Sequence, residues 1–430
     1  MVPRRLVTFT CRFDRFFMSR TRPSASTARQ YFRGLLQTER RNMERMEQAV
    51  PGTNEQALQH FISNSPWDAG AVMRQVARSA DALLGGHDDT LLVIDESGIP
   101  KKGKHSAGVA RQYCGELGKV ENCQVGVYGA LGRGDKVTLT DARLFVPREW
   151  TNDPERCRRA GIPEHVWKTP QTKFDLALEI VVQAVEEGIR FRWVSADGGY
   201  GEGAFLLPLD NAGLQFMVDV HCDHRLWFEQ PPADAGANGR RRVDEWLREQ
   251  PAEAWTEVTT RKGTRGSIRY EVLHTRVWFY AGKGEPPRQW HLLVRREIDT
   301  PRKVKYTLSN APADMPVETL AYIQGQRYWV ERALQDAKGH SGLGDYQVRG
   351  WVGWHHHMAI VLMAMLFMLE ERVRHGATVP MLSTADVERL LKHYLARRDA
   401  TEQELFRLLQ ESHDRRKRAA ESHGRRSSPI

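Results

Sequence analysis

The sequence predicts an α/β protein: a mixed sheet of short buried strands, interrupted by a mostly β segment and carrying helical regions at both ends. Three observations predict it. Apolar residues recur at three- and four-residue spacing as far as Gly86, and near residue 90 that period gives way to short apolar runs. Two of these runs, LLVID at 91–95 and RFRWVSAD at 190–197, finish on an acid, as a buried strand does when its carboxylate emerges at the strand end. Between 90 and 220 the pattern reads as three strands, a helix, a strand, a helix and a strand.

Taken in order, ARQYFRGLLQTERRNMERMEQAV and NEQALQHFISNSPWDAGAVMRQVARSADALLGG are helical patterns separated by the Pro51-Gly52 break. VENCQVGVYGALG and DKVTLTDARLFVP are β-rich and joined by Gly-Arg-Gly-Asp, a hairpin composition. TKFDLALEIVVQAVEEG is an amphipathic helix with Leu176, Ile180 and Val181 on one side and Gly188 as its C-terminal stop. LQFMVDV ends the first part of the core. WTEVTT, SIRYEVLHTRVWFYA, QWHLLVRRE and KVKYTLSNA are strand-like, separated by the turn-forming KGTRG, GKGEPP and DTPR. Helix returns with VETLAYIQGQRYWVERALQDAKGH. The expected segments are 1–86, helical; 87–221 and 312–375, two parts of one sheet core; 222–311, a β-rich insertion; and 376–430, a helical basic tail, disordered from His413 onward.

Composition bounds the function. A chain of 430 residues, 40% apolar, supports two to three domains, and a formal charge of +9 points to a polyanionic partner. The first fifty residues hold eleven arginines and four acids, which marks 1–86 as a DNA-binding region; a solvated helix face accounts for the charge equally well. The opening residues lack the apolar run of a secretory leader, so a cytoplasmic, nucleoid-associated protein is expected. The longest apolar stretch, 358–369, is shorter than the roughly 20 residues of a membrane span and reads as a buried core helix. Five scattered cysteines without a CxxC pair read as reduced and structural.

Asp95 and Asp197, at the ends of two apolar strands, are the first candidates for chemistry, since neighbouring strand ends would set two carboxylates at one edge of a cleft. Such a pair invites Mg²⁺, which takes few protein carboxylates when a phosphodiester supplies further oxygens. Asp95 is preferred to Glu96 because adjacent strand residues face opposite ways. Glu331 supplies a third acid, with Arg327, Gln335 and Lys338 at helical spacing on its face. Singly these signals are weak; a strand acid, a second after the fourth strand and a third on a late helix together match the RNase H-like arrangement. Lys101, Lys102, Lys104, His105 and Arg111, interleaved with glycines after the first acid, suit contact with a DNA strand, the alternative being a flexible basic loop. His221-Cys222-Asp223-His224 has metal-ligand residue types but no second pair nearby, and zinc is not expected there; GHSGLGDY lacks the context of a nucleotide loop.

Three long motifs, LLVIDESGIPKKGKHSAGVARQYCGELGKVENCQVGV, WVSADGGYG and GQRYWVERALQDAKGHSGLGDYQVRGWVGWHHHMA, give the chain a resemblance to DDE-type insertion-sequence transposases, most closely the insertion-sequence-701 type. The helical SPWD segment near Trp67 shares it. The resemblance implies an RNase H-like catalytic core, a metal-binding triad of Asp95, Asp197 and Glu331, two Mg²⁺ ions with Mn²⁺ as a substitute, and cut-and-paste transposition of DNA. It also implies a homodimer joining the element's terminal inverted repeats and acting on target DNA. Arg327, Glu331 and Lys338 match a Tyr-x2-Arg-x3-Glu-x6-Lys signature of a related branch, but Gln324 stands at the tyrosine position. The competing reading is a transposase-derived DNA-binding regulator that does not cut.

Overall fold

The computed structural model describes residues 2–18, 23–232, 239–263, 266–279, 286–298, 303–399 and 401–427. It has two compact units, Met73–Gln335 and the combination of Met1–Val72 with Asp336–Ile430. The turn segments KGTRG, GKGEPP and DTPR fall partly or wholly outside the described residues.

The unit Met73–Gln335 is organised by one sheet. Its strands are β1 (Leu91–Pro100), β2 (Ala110–Cys114), β3 (Lys119–Arg133), β4 (Lys136–Leu144), β5 (Trp193–Ala196) and β6 (Gln215–Val220). A two-stranded ribbon follows, β7 (Arg225–Leu226) with β8 (Arg241–Arg242), then β9 (Thr256–Gly263), β10 (Gly266–Phe279), β11 (Arg288–Glu297) and β12 (Val304–Ser309). β1 pairs antiparallel with β3 along its whole length, and β3 pairs antiparallel with β4. On its other side β1 runs parallel to β5, and β5 parallel to β6. The order β4-β3-β1-β5-β6, with the last two parallel to β1, is the RNase H-like core expected from the sequence. The strands of 222–311 do not form a separate sheet: β12 pairs antiparallel with β6 through Met217–Val220, and β11, β10 and β9 continue outward from it.

Strand alternation sorts the side chains of this sheet into two faces. Leu92 and Ile94 of β1, Val194 and Ala196 of β5, Phe216 and Val218 of β6, and Leu308 of β12 lie in one core with Leu176, Ile180, Phe205 and Leu209 from the helices Lys173–Glu186 and Gly203–Asn211. Each fully buried aliphatic side chain of this kind contributes about 1.5–3 kcal/mol. The first of these helices begins on a capping box in which the Thr172 hydroxyl accepts from the Asp175 N–H, and it stops at Gly188, whose φ of 69° is the left-handed geometry that a C-terminal glycine permits. The opposite face of the sheet carries the odd-numbered positions 93 and 95, 195, 217 and 219, and 307 and 309.

The second unit is helical. Its longest buried element is the helix Trp351–His375, long and apolar enough to cross a membrane yet almost wholly buried against the rest of the protein. Phe367 packs edge-on against Phe9 and Phe32 from the N-terminal helices. The histidine run at its start is structural in two of its three members. His356 bonds the carbonyls of Ile62 and Trp67, both at 2.9 Å, and stacks on the Trp67 ring at 3.8 Å. His357 lies between the Tyr31 hydroxyl (2.8 Å) and the Gly342 carbonyl (2.9 Å). The SPWD segment therefore serves to seat Trp67 on this helix.

The tail expected to be disordered from His413 is instead part of a helix, Glu402–Ser427. Its arginines find carboxylates: Arg415 pairs with Glu55 at 3.0 Å and Arg416 with Glu44 at 3.5 Å, while Ser412 donates to Glu44. Composition alone misses such pairing because the partners lie more than 350 positions away.

Glu388 anchors a further polar cluster, accepting from Arg41 at 2.7 Å and bonded by His340 at 2.7 Å and Lys392 at 3.0 Å. Desolvation pushes its pKa up, but the His340 and Lys392 hydrogen bonds and the Arg41 charge together hold it below the usual value. A carboxyl depressed in the folded state contributes stability that is complete above its unfolded pKa and lost as pH falls through the folded one. Thermal unfolding should therefore show the midpoint falling below about pH 4, and Glu388→Gln should flatten that dependence while costing about 1.5–3 kcal/mol at neutral pH.

Candidate active site

The parallel pairing of β1 with β5 ends at Ile94 opposite Ala196, and the next residue on each strand is an aspartate. Asp95 and Asp197 thus stand side by side where the two strands part. Ile94 and Ala196 are buried on the helix-covered face, so by alternation both aspartates belong to the other face. Glu96 turns the opposite way, where it pairs with Lys173 at 2.5 Å and accepts from the Tyr200 hydroxyl at 3.2 Å. The register that separates Asp95 from Glu96 is thus held by two contacts to Glu96 itself.

The WVSADGGYG motif acquires a local explanation. After β5 the chain makes a short turn, Gly198–Tyr200, whose Gly199 N–H donates to Asp197 Oδ1 at 3.0 Å. A side chain at Gly199 would come within 3.1 Å of that oxygen, and one at Gly201 within 2.7 Å of the Asp219 carbonyl. The glycines let the turn close against the carboxylate and against β6. Tyr200 is buried beneath it, its hydroxyl held on Glu96 and its pKa raised by desolvation and by that carboxylate.

Glu331 comes from the helix Tyr328–Ser341, which follows the helix Val317–Gln326 after a break at Arg327 where one continuous helix was expected. Arg327 makes the central contact. Its Nε donates to Asp219 Oδ2 at 3.1 Å and its Nη2 to Glu331 Oε1 at 2.8 Å. The guanidinium is almost buried, with 10% of its side chain exposed, whereas Glu331 keeps 47%. Desolvation acts to lower the Arg327 pKa, yet Asp219, Glu331, Asp95 and Asp197 together raise it.

Asp95 reports the same field from the other side. Desolvation and then the Asp197 charge push its carboxyl up to about 7, against the opposing pull of Arg327 and of the Glu96 N–H. Two carboxylates with too little positive charge between them form a donor set suited to a hard cation, all oxygen and partly desolvated. Among the described residues no three acid, histidine or cysteine side chains are gathered closely enough to hold an ion as they stand.

Sequence reasoning overlooked Asp219, Thr307 and Lys305. Asp219 lies on β6 on the same face as Asp95, and its Oδ1 accepts from the Thr307 hydroxyl, which in turn accepts from Gln324 Nε2 at 2.6 Å. Gln324, at the signature tyrosine position, is thus a buried link in a line that runs Gln324, Thr307, Asp219, Arg327, Glu331. Lys305, two residues before Thr307 on the same face, has its pKa lowered by desolvation and Arg327. The signal available in the sequence was the alternation of LQFMVDV, which puts Asp219 among apolar residues on a strand neighbouring Asp197.

The cationic loop is placed differently. Asp95 is only halfway along β1, which runs on to Pro100, so Lys101 begins about 20 Å of strand beyond the carboxylates. The loop is anchored rather than floppy: Asn122 Nδ2 donates to the carbonyls of Lys101 and Gly103, Gln124 to Ala107 and Trp150 to Val109. Lys102, Lys104, His105 and Arg111 are exposed on this fixed backbone. Lys338 lies two turns beyond Glu331 on the same helix, within the helical unit. Trp193 and Trp290 are core residues.

An RNase H-like sheet with two aspartates where β1 and β5 part, and a glutamate on a following helix linked to the same face through Arg327, is the arrangement of carboxylate-class nucleases. Residues 15–275 match the family described as DDE superfamily endonuclease, and the chain belongs to that family. It is also similar to the probable transposase for insertion sequence element IS701 of Microchaete diplosiphon, 27% identical over 313 residues that cover 72% of this chain and 73% of the relative. Asp95 and Asp197 lie inside the family match; Glu331 lies beyond it.

Thr307 is the test of the polar line. Thr307→Val removes the group satisfying both Asp219 Oδ1 and Gln324 Nε2, and urea denaturation should show a loss of about 1–3 kcal/mol.

Proposed function

We propose that the chain is the transposase of an insertion-sequence element, cutting phosphodiester bonds at the element ends and joining the freed 3′ ends to target DNA. The observation that carries this reading is the pair of carboxylates, Asp95 and Asp197, side by side where β1 and β5 part, with the Asp95 carboxyl under-compensated. Asp95, Asp197 and Glu331 would hold the divalent metal, two Mg²⁺ ions or Mn²⁺ in their place. Bound there, the metal supplies Lewis-acid activation of water or a 3′-OH and neutralises charge on the phosphate.

The chain's own groups do the rest. Arg327 keeps the Glu331 carboxylate over the acidic face and is itself fixed by Asp219, so its guanidinium is already oriented when a phosphate oxygen arrives. Glu331 becomes available as a ligand when the phosphate takes over part of its hold on Arg327. Lys338 contacts the scissile strand, and Lys101, Lys102, Lys104, His105 and Arg111 meet DNA at a greater distance along the extension of β1. Two element ends are served by a homodimer in the synaptic complex, acting at the cytoplasmic nucleoid.

Excision of a plasmid-borne element with its cognate ends tests this. Asp95→Asn, Asp197→Asn and Glu331→Gln should each lower excision by at least about 100-fold, the cost of losing even an outer partner of a metal site, while duplex binding in EDTA persists. Glu96→Gln, on the other face, should retain excision, and omission of Mg²⁺ should abolish it for every variant. Wild-type excision by any of the first three would overturn the assignment.

A further inference from the structure

In the helical unit a polar cavity of about 610 Å³ is lined by four arginines, Arg40, Arg45, Arg397 and Arg398, with Gln37 and Gln48 and a single carboxylate, Glu39. The groove is built by specific bonds. Arg33 donates to the Ala396 carbonyl at 2.8 Å and Gln37 to the same carbonyl at 2.9 Å. Arg398 donates to the carbonyls of Glu47 and Thr53, and its own N–H bonds Ala49. These bonds strap residues 395–398 against the helices Ala25–Gln37 and Met43–Ala49. The turn between those helices divides two neighbouring arginines: Arg41 points inward to Glu388, whereas Arg40 is exposed at the groove.

Arg40 and Arg397 make no ion pair or side-chain hydrogen bond among the described residues, and the Arg45 guanidinium is bonded only to the neutral Gln48. This contrasts with Arg5, Arg12, Arg41, Arg415 and Arg416 of the same unit, all matched to carboxylates. Like charges held closer than the Debye length of about 8 Å repel unless an anion lies between them. A fold that gathers four arginines around one concavity, with Glu39 at its lining and Glu404 paired to Arg398 at 3.9 Å as the acids that offset them, keeps a positive excess complementary to an extended polyanion. The planar fork of arginine fits phosphate oxygens in particular.

We propose that this groove is a docking surface for the sugar-phosphate backbone of duplex DNA. None of its residues belongs to the carboxylate face, to the basic loop 101–111 or to the helix carrying Lys338. The inference rests on the reading of the chain as a DNA transposase and specifies where the helical unit grips its substrate. The groove meets phosphates, so it adds affinity without reading sequence.

The test is fluorescence anisotropy of the full chain with a labelled duplex of arbitrary sequence, in EDTA, over a series of KCl concentrations. The triple variant Arg40→Ala, Arg45→Ala, Arg397→Ala should bind more weakly, and its plot of log K against log[salt] should be shallower by about 0.9 for each phosphate no longer neutralised, up to roughly 2.7. The corresponding triple lysine variant should keep most of the slope, and it serves as the control if the alanine protein unfolds. Unchanged affinity and slope in a folded alanine variant would overturn the groove while leaving the transposase reading intact. A slope change confined to a single-stranded RNA probe would also overturn it. A wild-type protein that binds no duplex would remove both.

Discussion

The separation of β1 from β5 after Ile94 and Ala196 is the constraint on which the rest of the site depends. Up to that point backbone hydrogen bonds fix two parallel strands in register; beyond it the same register delivers two aspartates side by side. Among the described residues the aspartates themselves bond only neighbouring backbone N–H groups, of Glu96 and Gly199. The arrangement is secured by apolar neighbours that must stay on the helix-covered face and by Glu96, which is bound to Lys173 and Tyr200 on that side. A one-residue slip would bury Asp95 among aliphatic side chains and strip Glu96 of both partners.

Gathering carboxylates on one face creates a charge problem that Arg327 partly solves. Its near-complete burial is tolerable because Asp219 and Glu331 both accept its hydrogen bonds. The solution is incomplete by the measure of Asp95, whose carboxyl remains pushed up to about 7. Glu331 is the most exposed of the participants and is carried on a helix rather than on the sheet.

Much of this was legible in the sequence. The start of β1, the positions of β3, β4, β5 and β6 and the facing of Asp95 followed from apolar runs and their period of two, because buried strands leave strong local patterns; β2, short and half-exposed, did not. The extension of the sheet was not legible, since strand pairing between β6 and β12 joins segments some ninety residues apart and leaves no local trace. The same holds for Asp219, Thr307 and Gln324, whose significance lies in bonds across strands and helices. The C-terminal helix was misread because its charge looked unpartnered until the N-terminal carboxylates were in view. Nor does the sequence show that β1 continues five residues past Asp95, which carries the basic loop away from the acids.

The continuation of the sheet through β12, β11, β10 and β9 also moves a vulnerable boundary. In an RNase H-like core that ended at β6, the strand carrying Asp219 would present unpaired N–H and C=O groups to any passing chain. Here those groups are engaged by β12, and the sheet ends on this side at β9, four strands beyond β6. The extension therefore insulates the strand that fixes Arg327 from accidental pairing, so that aggregation-prone backbone and catalytic geometry do not share an edge.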